Sequence, residues 1–463
     1  MNPQKTITAM LAAGAATFAF ADAAIPPSVS DVTMAQGNDR RVTITYALAH
    51  GPAVVTLDIQ TNATPNAAAS DPGWTSIGGE AVWNAMGDVW KKVSGDAVHT
   101  ITWRPDQSWP DHRIVDNRAR AVVTAWALDN TPDYMVVDLD VDSEVRFYPS
   151  AEFLPRAGFA QQGSAVTNNP EYKTSKLLMR KIEAEGIEWT MGSADGEKGR
   201  NATKEAPHLV TLTNNYYIGV FEVTRGQFRR VATNSNAVAS SWTDASLVYA
   251  MNSVCYNELR TTHGHSGNVS GGVTVTAGTG GTWPGAPSSD SFLGLLRLKS
   301  GLPFDLPSEA QWEFACRAGN YSGLWNDGSA ITGENADVNL KRLARFLSNS
   351  GNAVGPVGAF NPSSNGLYDM HGNVAEICLD WYEDNIATAT DTAGETYGGR
   401  VNVDAENPAY PLSHSAAGSL RARRGGNWSS VAGACRSASR DSRAPQTRAA
   451  YDGFRVICPV GIE

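Results

Sequence analysis

Basic residues are in deficit. The chain carries 37 Lys and Arg against 47 Asp and Glu, a net charge of -10, which excludes the cationic footprint that nucleic acid or an anionic membrane surface requires. Cysteine is scarce, five in 463 residues, and no two form a C-x-x-C pair, so zinc ribbons and thioredoxin-like redox motifs have no basis. Beyond residue 20 no apolar run approaches the roughly 18 residues of a membrane span. No repeat points to a solenoid or propeller. There is also no G-x-S-x-G elbow, Walker loop, H-E-x-x-H or dinucleotide fingerprint. The eight histidines are scattered; only His263 and His265 are close-spaced, in a loop-like segment where a solvated pair is the ordinary reading.

What is present begins with Met1 to Ala23, where Lys5 precedes an apolar run from Ile7 to Phe20 and the small-residue site Ala21-Asp22-Ala23. This is the layout of a cleaved secretory signal, so the mature chain is expected to begin near Ala24 and to be exported to the periplasm, cell surface or medium. No cysteine stands at that site, which disfavours a lipoprotein. In an oxidising compartment Cys255, Cys316, Cys378, Cys435 and Cys458 leave at least one thiol unpaired, and the common fate of such a thiol is burial as a small apolar side chain.

The body of the chain is long enough for two or three domains, and 42% hydrophobic residues suit a soluble globular protein. From residue 24 to 150 the pattern has period two, in Val42 to Leu48, Ala53 to Thr61, His99 to Trp103 and Ala121 to Leu128. Short β-branched runs of this kind predict an antiparallel β-sandwich of the immunoglobulin or fibronectin-III type. Asp138 to Asp142, DLDVD, reads as an exposed edge strand with inline charges. Residues 151–174 read as a linker, and 175–463 as a mixed α+β domain with long loops. Residues 263–290, rich in Gly, Ser and Thr, read as an insertion. One helix is well signalled: Ser308 caps it, Gln311 closes a capping box and Gly319 ends it. Ala310, Phe314 and Arg317 share one side of it and Trp312 and Cys316 another, so it is expected to pack on two sides.

The densest chemistry lies in NGLYDMHGNVAEICLDWYED, Asn365 to Asp384. Asp369, Gly372, Val374 and Glu376 alternate carboxylate, carbonyl, carbonyl and carboxylate, the hard oxygen donors that Ca2+ takes. The competing reading has Asp369 capping a turn and Glu376 pairing with an arginine. Seven arginines, Arg421, Arg423, Arg424, Arg436, Arg440, Arg443 and Arg448, crowd the last segment. They offer anion binding or, more commonly, pairing with acids of the same fold.

This stretch, together with LPSEAQWEFACRAG (Leu306 to Gly319), RRGGNW...CRSASR...GFRV (Arg423 to Val456) and the upstream IEWTMGS...FEVTRGQF (Ile187 to Phe228), resembles the formylglycine-generating enzymes, or sulfatase-modifying factors, in motif and order. The resemblance covers about Ser175 to the C-terminus and implies a C-type-lectin-like fold with little regular secondary structure. It implies one structural calcium at Asp369, Gly372, Val374 and Glu376, and a second at Asn339, Leu340, Asn349 and Gly351. The family's reaction is copper-dependent oxidation of a sulfatase cysteine to formylglycine, with Cu(I) held by two cysteines after a Gly-Gly-Ser turn.

Here that turn reads Gly425-Gly426-Asn427, Ser430 stands at the first cysteine position and Cys435 at the second. Aligning Arg436 and Arg440 with the family's paired arginines instead puts Cys435 at neither position. A hydroxyl does not replace a thiolate for Cu(I). Ala375 and Ile377 also replace two tryptophans of the family pattern. A sister group uses iron on three histidines in an added helical domain that has no counterpart here. Two functions follow: an exported oxidoreductase acting on a protein or peptide thiol through Cys435, with Ser430 and Asn427 beside it, or a non-catalytic module that binds a protein or other ligand. A third, an envelope scaffold, rests on the fused sandwich.

Overall fold

The computed structural model describes residues 25–140, 144–155, 165–233, 242–261, 286–382, 384, 401–403 and 420–461, without the side chains of 165 and 401–403. The signal segment at 1–23, the His263 and His265 pair and most of the 263–290 insertion lie outside the described residues.

The period-two runs form strands. Val42–Ala49 buries Val42, Ile44, Tyr46 and Leu48 in alternation, as expected of a strand with one face on a core. It lies between Ser28–Gln36 and Val98–Trp103 in an antiparallel sheet whose last strand is Met86–Gly87. Facing it, Ala53–Thr61 pairs with Ala119–Trp126 along eight residues and with Lys91–Val93 and Thr75–Ser76. Tyr46, Leu57, Ile59, Trp90, Ile101 and Trp103 fill the space between the sheets.

The next two strands leave the sandwich. Tyr134–Asp138 and Val145–Tyr148 pair with each other, and Tyr134–Asp138 pairs antiparallel with Lys176–Ile182. The resulting five-stranded sheet continues through Tyr216–Gly219 to Ile457–Pro459. Asp138 therefore ends an interior strand, and Leu139 is buried rather than on an exposed edge; Val141 and Asp142 are not described. The sandwich stays attached through Trp90, which stacks on Tyr148 at 5.3 Å and accepts the Phe147 N–H through its carbonyl. One apolar cluster runs from Ile44 and Trp103 to Tyr172, Phe221 and Val374. Within 165–174, residues expected to be linker, Asn169 caps a short 3-10 turn that buries Tyr172.

A four-stranded sheet carries the C-terminal motifs, in the order Arg440–Arg443, Arg421–Arg424, Ala375–Trp381, Asp452–Gly453. The helix Glu309–Arg317 packs on it. Both capping-box bonds are present, Gln311 N to Ser308 Oγ at 3.1 Å and Ser308 N to Gln311 Oε1 at 3.0 Å. Reciprocal bonds of this kind satisfy two donors that a helix start otherwise leaves open. Ala318 (φ 49°) and Gly319 (φ 82°) turn the chain out of the helix. Trp312 and Cys316 are fully buried and Ala310 and Arg317 nearly so, while Phe314 is part-buried against Trp189 at 5.5 Å, so the helix packs on two sides with one of them less deeply covered. Elsewhere among the described residues of this domain lie the helices Arg225–Val231, Tyr256–Arg260 and Phe292–Ser300, and Phe292 stacks on Phe228 at 4.8 Å and meets Phe454 edge-on at 5.0 Å.

Candidate functional site

The loop Asp369–Val374 enters the strand Ala375–Trp381 with a backbone that few residues tolerate. Asp369, Gly372 and Asn373 have φ of 55°, 78° and 52°, and a Cβ on Gly372 would lie 2.2 Å from the Arg345 carbonyl. This region is open to Gly and, at lower cost than for most residues, to Asn and Asp. Glu222 holds the turn. Its carboxylate accepts the Asn373 side-chain amide at 2.5 Å and the Val374 N–H at 3.0 Å, while Asn373 Oδ1 accepts the Gly355 N–H.

Glu376 follows with both carboxylate oxygens in use. It accepts Trp312 Nε1 at 2.7 Å and the Arg455 guanidinium at 2.9–3.2 Å. Arg455 also donates to the carbonyls of Gly219 and Tyr368. Asp369 Oδ2 accepts the Gly358 N–H at 2.6 Å. The side chains of Glu222, Asp369, Asn373, Glu376 and Arg455 are all buried. Burial pushes the Asp369 carboxyl up to about 6, against the pull of Gly358 N–H, Arg455 and Lys173. Burial, with Asp369 and Glu376 beside it, raises Glu222 well above the carboxylate range.

These residues fit a hard divalent cation in donor type and charge: three carboxylates share one buried guanidinium, and unpaired buried charge is costly. Among the described residues, however, no three acidic, His or Cys side chains converge within ligand reach, so a bound ion here would rely on backbone carbonyls. The pairing of Glu376 with an arginine, the competing reading, is present as well.

Around Asn339, Leu340, Asn349 and Gly351 the polar groups are spent on their own loops. Asn339 donates to the Ala330 carbonyl, and Asn349 bridges Phe346 N–H and the Ala344 carbonyl. Asp337 accepts four N–H groups, from Thr332, Gly333, Asn339 and Leu340. Those bonds outweigh its burial and hold its carboxyl below the usual range.

The arginines mostly pair inward. Arg424 meets Glu313 and Arg423 meets Asp441 and Asp452. Arg440 is bidentate to Glu309, Arg436 to Glu205 with Glu197 alongside, and Arg448 reaches Glu258. Bidentate guanidinium–carboxylate geometry of this kind is the strong, orienting form of the contact. Arg421 differs, with its guanidinium between the rings of Tyr256 (3.9 Å) and Trp381 (3.3 Å).

Beside this network the Gly425-Gly426-Asn427 turn frames a groove of about 150 Å³, lined by Asn427, Ser430 and Ser439 with Arg423, Arg424 and Arg440. Ser430 Oγ accepts the Asn427 N–H at 3.0 Å. Cys435 lies under the turn: a Cβ on Gly426 would come within 2.8 Å of its sulfur. The thiol packs in an apolar cluster with Trp325, Leu340, Leu343 and Phe346. Burial pushes it up to about 12, and all five cysteines are buried free thiols. Thus Asn427 and Ser430 stand at the groove while Cys435 belongs to the core behind it. Glu222 and Arg455, which organise the loop, escaped the sequence reading. Their signal was a lone charge inside an apolar run, YYIGVFEV for the first and GFRVI for the second.

A β-rich α+β domain whose C-terminal half is held by an Asp/Glu–Gly-Asn loop and a glycine turn is the architecture of the formylglycine-generating-enzyme type. Residues 170–460 match the sulfatase-modifying factor enzyme 1-like domain, and the chain belongs to that family. It is 31% identical over 293 residues to the serine/threonine-protein kinase Pkn1 of Chlamydia trachomatis, covering 62% of this chain and 39% of that one. It is 31% identical over 158 residues to the formylglycine-generating enzyme of Mus musculus, covering 32% and 38%. Among solved structures, Treponema denticola variable protein 1 aligns at 23% identity and a TM-score of 0.43, covering 61% of this chain and 95% of that one. The chain spans about two fifths of the length of these curated relatives.

Proposed function

We propose that the C-terminal domain is a recognition module, binding a protein or peptide ligand at the groove beside the Gly425-Gly426-Asn427 turn. The observation that carries this reading is the place of Cys435. Its sulfur is buried among Trp325, Leu343 and Phe346 with the thiol proton held tightly, and the groove is lined by Ser430, which the resemblance puts at the first cysteine position. A Cu(I) centre needs accessible thiolates. The Pkn1 relatives, named as kinases, support the reading that this domain serves proteins of more than one activity.

Calcium is the structural cation we assign to the Asp369 loop, held by the side chains of Asp369 and Glu376 and the carbonyls of Gly372 and Val374. The ion would offset the buried carboxylates and pin the turn. It would leave the groove chemistry unchanged.

The test incubates the purified full-length protein with copper, oxygen and a cysteine peptide bearing a sulfatase motif, and follows the peptide by mass. No change in peptide mass and no Cys435-dependent copper uptake are expected. Conversion of the thiol to the aldehyde, abolished by Cys435→Ser, would overturn the reading in favour of the oxidase.

A further inference from the structure

We infer that the β-sandwich carries a binding site of its own, a pocket that takes a neutral, hydroxyl-bearing sugar ring. The site lies outside the C-terminal domain and does not depend on the recognition reading.

The pocket opens at one margin of the sandwich. Among the described residues Ser28–Gln36 pairs only with Val42–Ala49, and Ala119–Trp126 only with Ala53–Thr61, so each sheet ends in an edge strand and the two edges lie close together. The connection 104–118 runs beside the gap and lines it. The cavity measures about 550 Å³, within the roughly 300–1,000 Å³ of a small-molecule site. Its loop is tied down at both ends. Arg104 is bidentate to Asp106 at 2.9 Å, the Asp116 carbonyl accepts the Asn66 N–H at 3.0 Å, and the Asn117 amide donates to Asn66 Oδ1 at 2.9 Å. A wall held in this way lowers the ordering cost of binding.

One part of the lining is aromatic. Trp109 stacks on His112 with ring centroids 3.9 Å apart and stands 6.5 Å from Trp103, and Met34 and Ile114 extend this apolar surface. Trp109 is only half-buried and His112 is exposed, so ring surface is left open at the cavity. The faces of such rings are negative, which suits the C–H groups of a sugar.

The polar atoms left free are chiefly acceptors. His112 Nδ1 lies 2.8 Å from the Pro110 carbonyl; a carbonyl only accepts, so in the neutral ring Nδ1 holds the proton and Nε2 is an acceptor. Asn117 and Gln36 each spend an amide N–H, on Asn66 Oδ1 and on the Arg40 carbonyl, and keep their oxygens free. The Asp116 carboxylate has no hydrogen-bond partner among the described residues. A ligand must therefore bring donors. Charge then separates an alcohol from an amine. Arg120 lines the same cavity as Asp116, and its guanidinium bonds the neutral Gln60 side chain and the Ala69 carbonyl. With one charge of each sign the wall gives a cation no surplus attraction, whereas hydroxyls donate without charge. An apolar C–H face ringed by hydroxyls is the chemistry of a sugar.

The experiment titrates the full-length protein, by calorimetry or NMR, with glucose, galactose, mannose and N-acetylglucosamine and with short linear oligosaccharides of each. Spermidine and lysine serve as amine probes. Saturable binding of at least one sugar is expected; binding confined to oligosaccharides identifies a glycan chain as the source, and equal binding of the monosaccharide identifies a free sugar. Affinity should fall about tenfold in Asp116→Asn, which removes the charged acceptor, and likewise in His112→Ala, which removes a ring and an acceptor together. Both residues are exposed, so the variants should melt close to the parent; melting curves check this, and a folded variant decides. No binding of any sugar, an amine bound more tightly than every sugar, or undiminished affinity in a folded variant would each overturn the inference.

Discussion

Replacing Arg455 by Met removes the guanidinium that Glu222, Asp369 and Glu376 share among the described residues while keeping most of the side-chain volume. Arg455 is fully buried and donates to Glu376 and to the carbonyls of Gly219 and Tyr368. Breaking a buried pair from one side costs about 3–5 kcal/mol, and each carbonyl left without its donor adds about 1 kcal/mol or more. Against a total stability of roughly 5–15 kcal/mol, the loss is a large share. For a domain of this size each kcal/mol moves the melting temperature by about 2–4 °C, so a fall of at least 10 °C is expected by calorimetry or near-UV circular dichroism. Adding Glu376→Gln to Arg455→Met should restore part of that loss, because the carboxylate most directly stranded is then neutral. A single variant melting within about 2 °C of the parent, or a double variant no better than the single, would refute the charge argument and with it the fit of a cation to this loop.

Chelation offers a related check: EGTA should lower the melting temperature of the full-length protein and added Ca2+ should restore it, and no change in either direction counts against the calcium assignment. A pH prediction follows from Asp380, which burial and the neighbouring Glu309 push up to about 8. Because its folded value lies above the ordinary one, its contribution is fully present below about pH 4 and is lost as pH rises through 8. Asp380→Asn keeps the acceptor for the Glu309 N–H and should be more stable than the parent at pH 8.5, on the order of a few kcal/mol at most, with the difference vanishing near pH 4; equal melting temperatures at pH 8.5 would contradict this. Finally, the five buried thiols should resist a thiol reagent at pH 8 in the folded protein and react after denaturation, and fast labelling of Cys435 in the native state would move it from the core to the groove.

How far the sequence carried the argument depended on how local each cause was. Alternation and turn residues located the sandwich strands within one or two residues, so that Val42 to Leu48 became Val42–Ala49 and Ala121 to Leu128 became Ala119–Trp126. The Ser308 and Gln311 box works within four residues and was legible outright. The strand Tyr134–Asp138 was not placed, because its charged end reads as an edge while its partner, Lys176–Ile182, lies some forty residues on. At the site, the Asp369 and Glu376 pattern was visible, yet Glu222 and Arg455, which set its geometry, sit 151 and 79 residues from their partners Asn373 and Glu376. Inward pairing of the arginines could be anticipated as a class; which acid each takes is decided by the sheet. Burial of Cys435 behind a glycine turn depends on the packing of Trp325 and Phe346 from a distant loop, which spacing alone does not encode.

The pairing of Tyr134–Asp138 with Lys176–Ile182 has a practical consequence for anyone shortening this chain. A fragment starting at residue 170, where the family match begins, would keep Lys176–Ile182 but discard the neighbour that pairs with Lys176, Leu177, Leu178, Met179 and Arg180. An inner strand would become a bare margin of unbonded amides and carbonyls, the kind of template that recruits other chains. Soluble fragments should therefore start ahead of Thr131, whose hydroxyl bonds to Tyr217 at 2.6 Å.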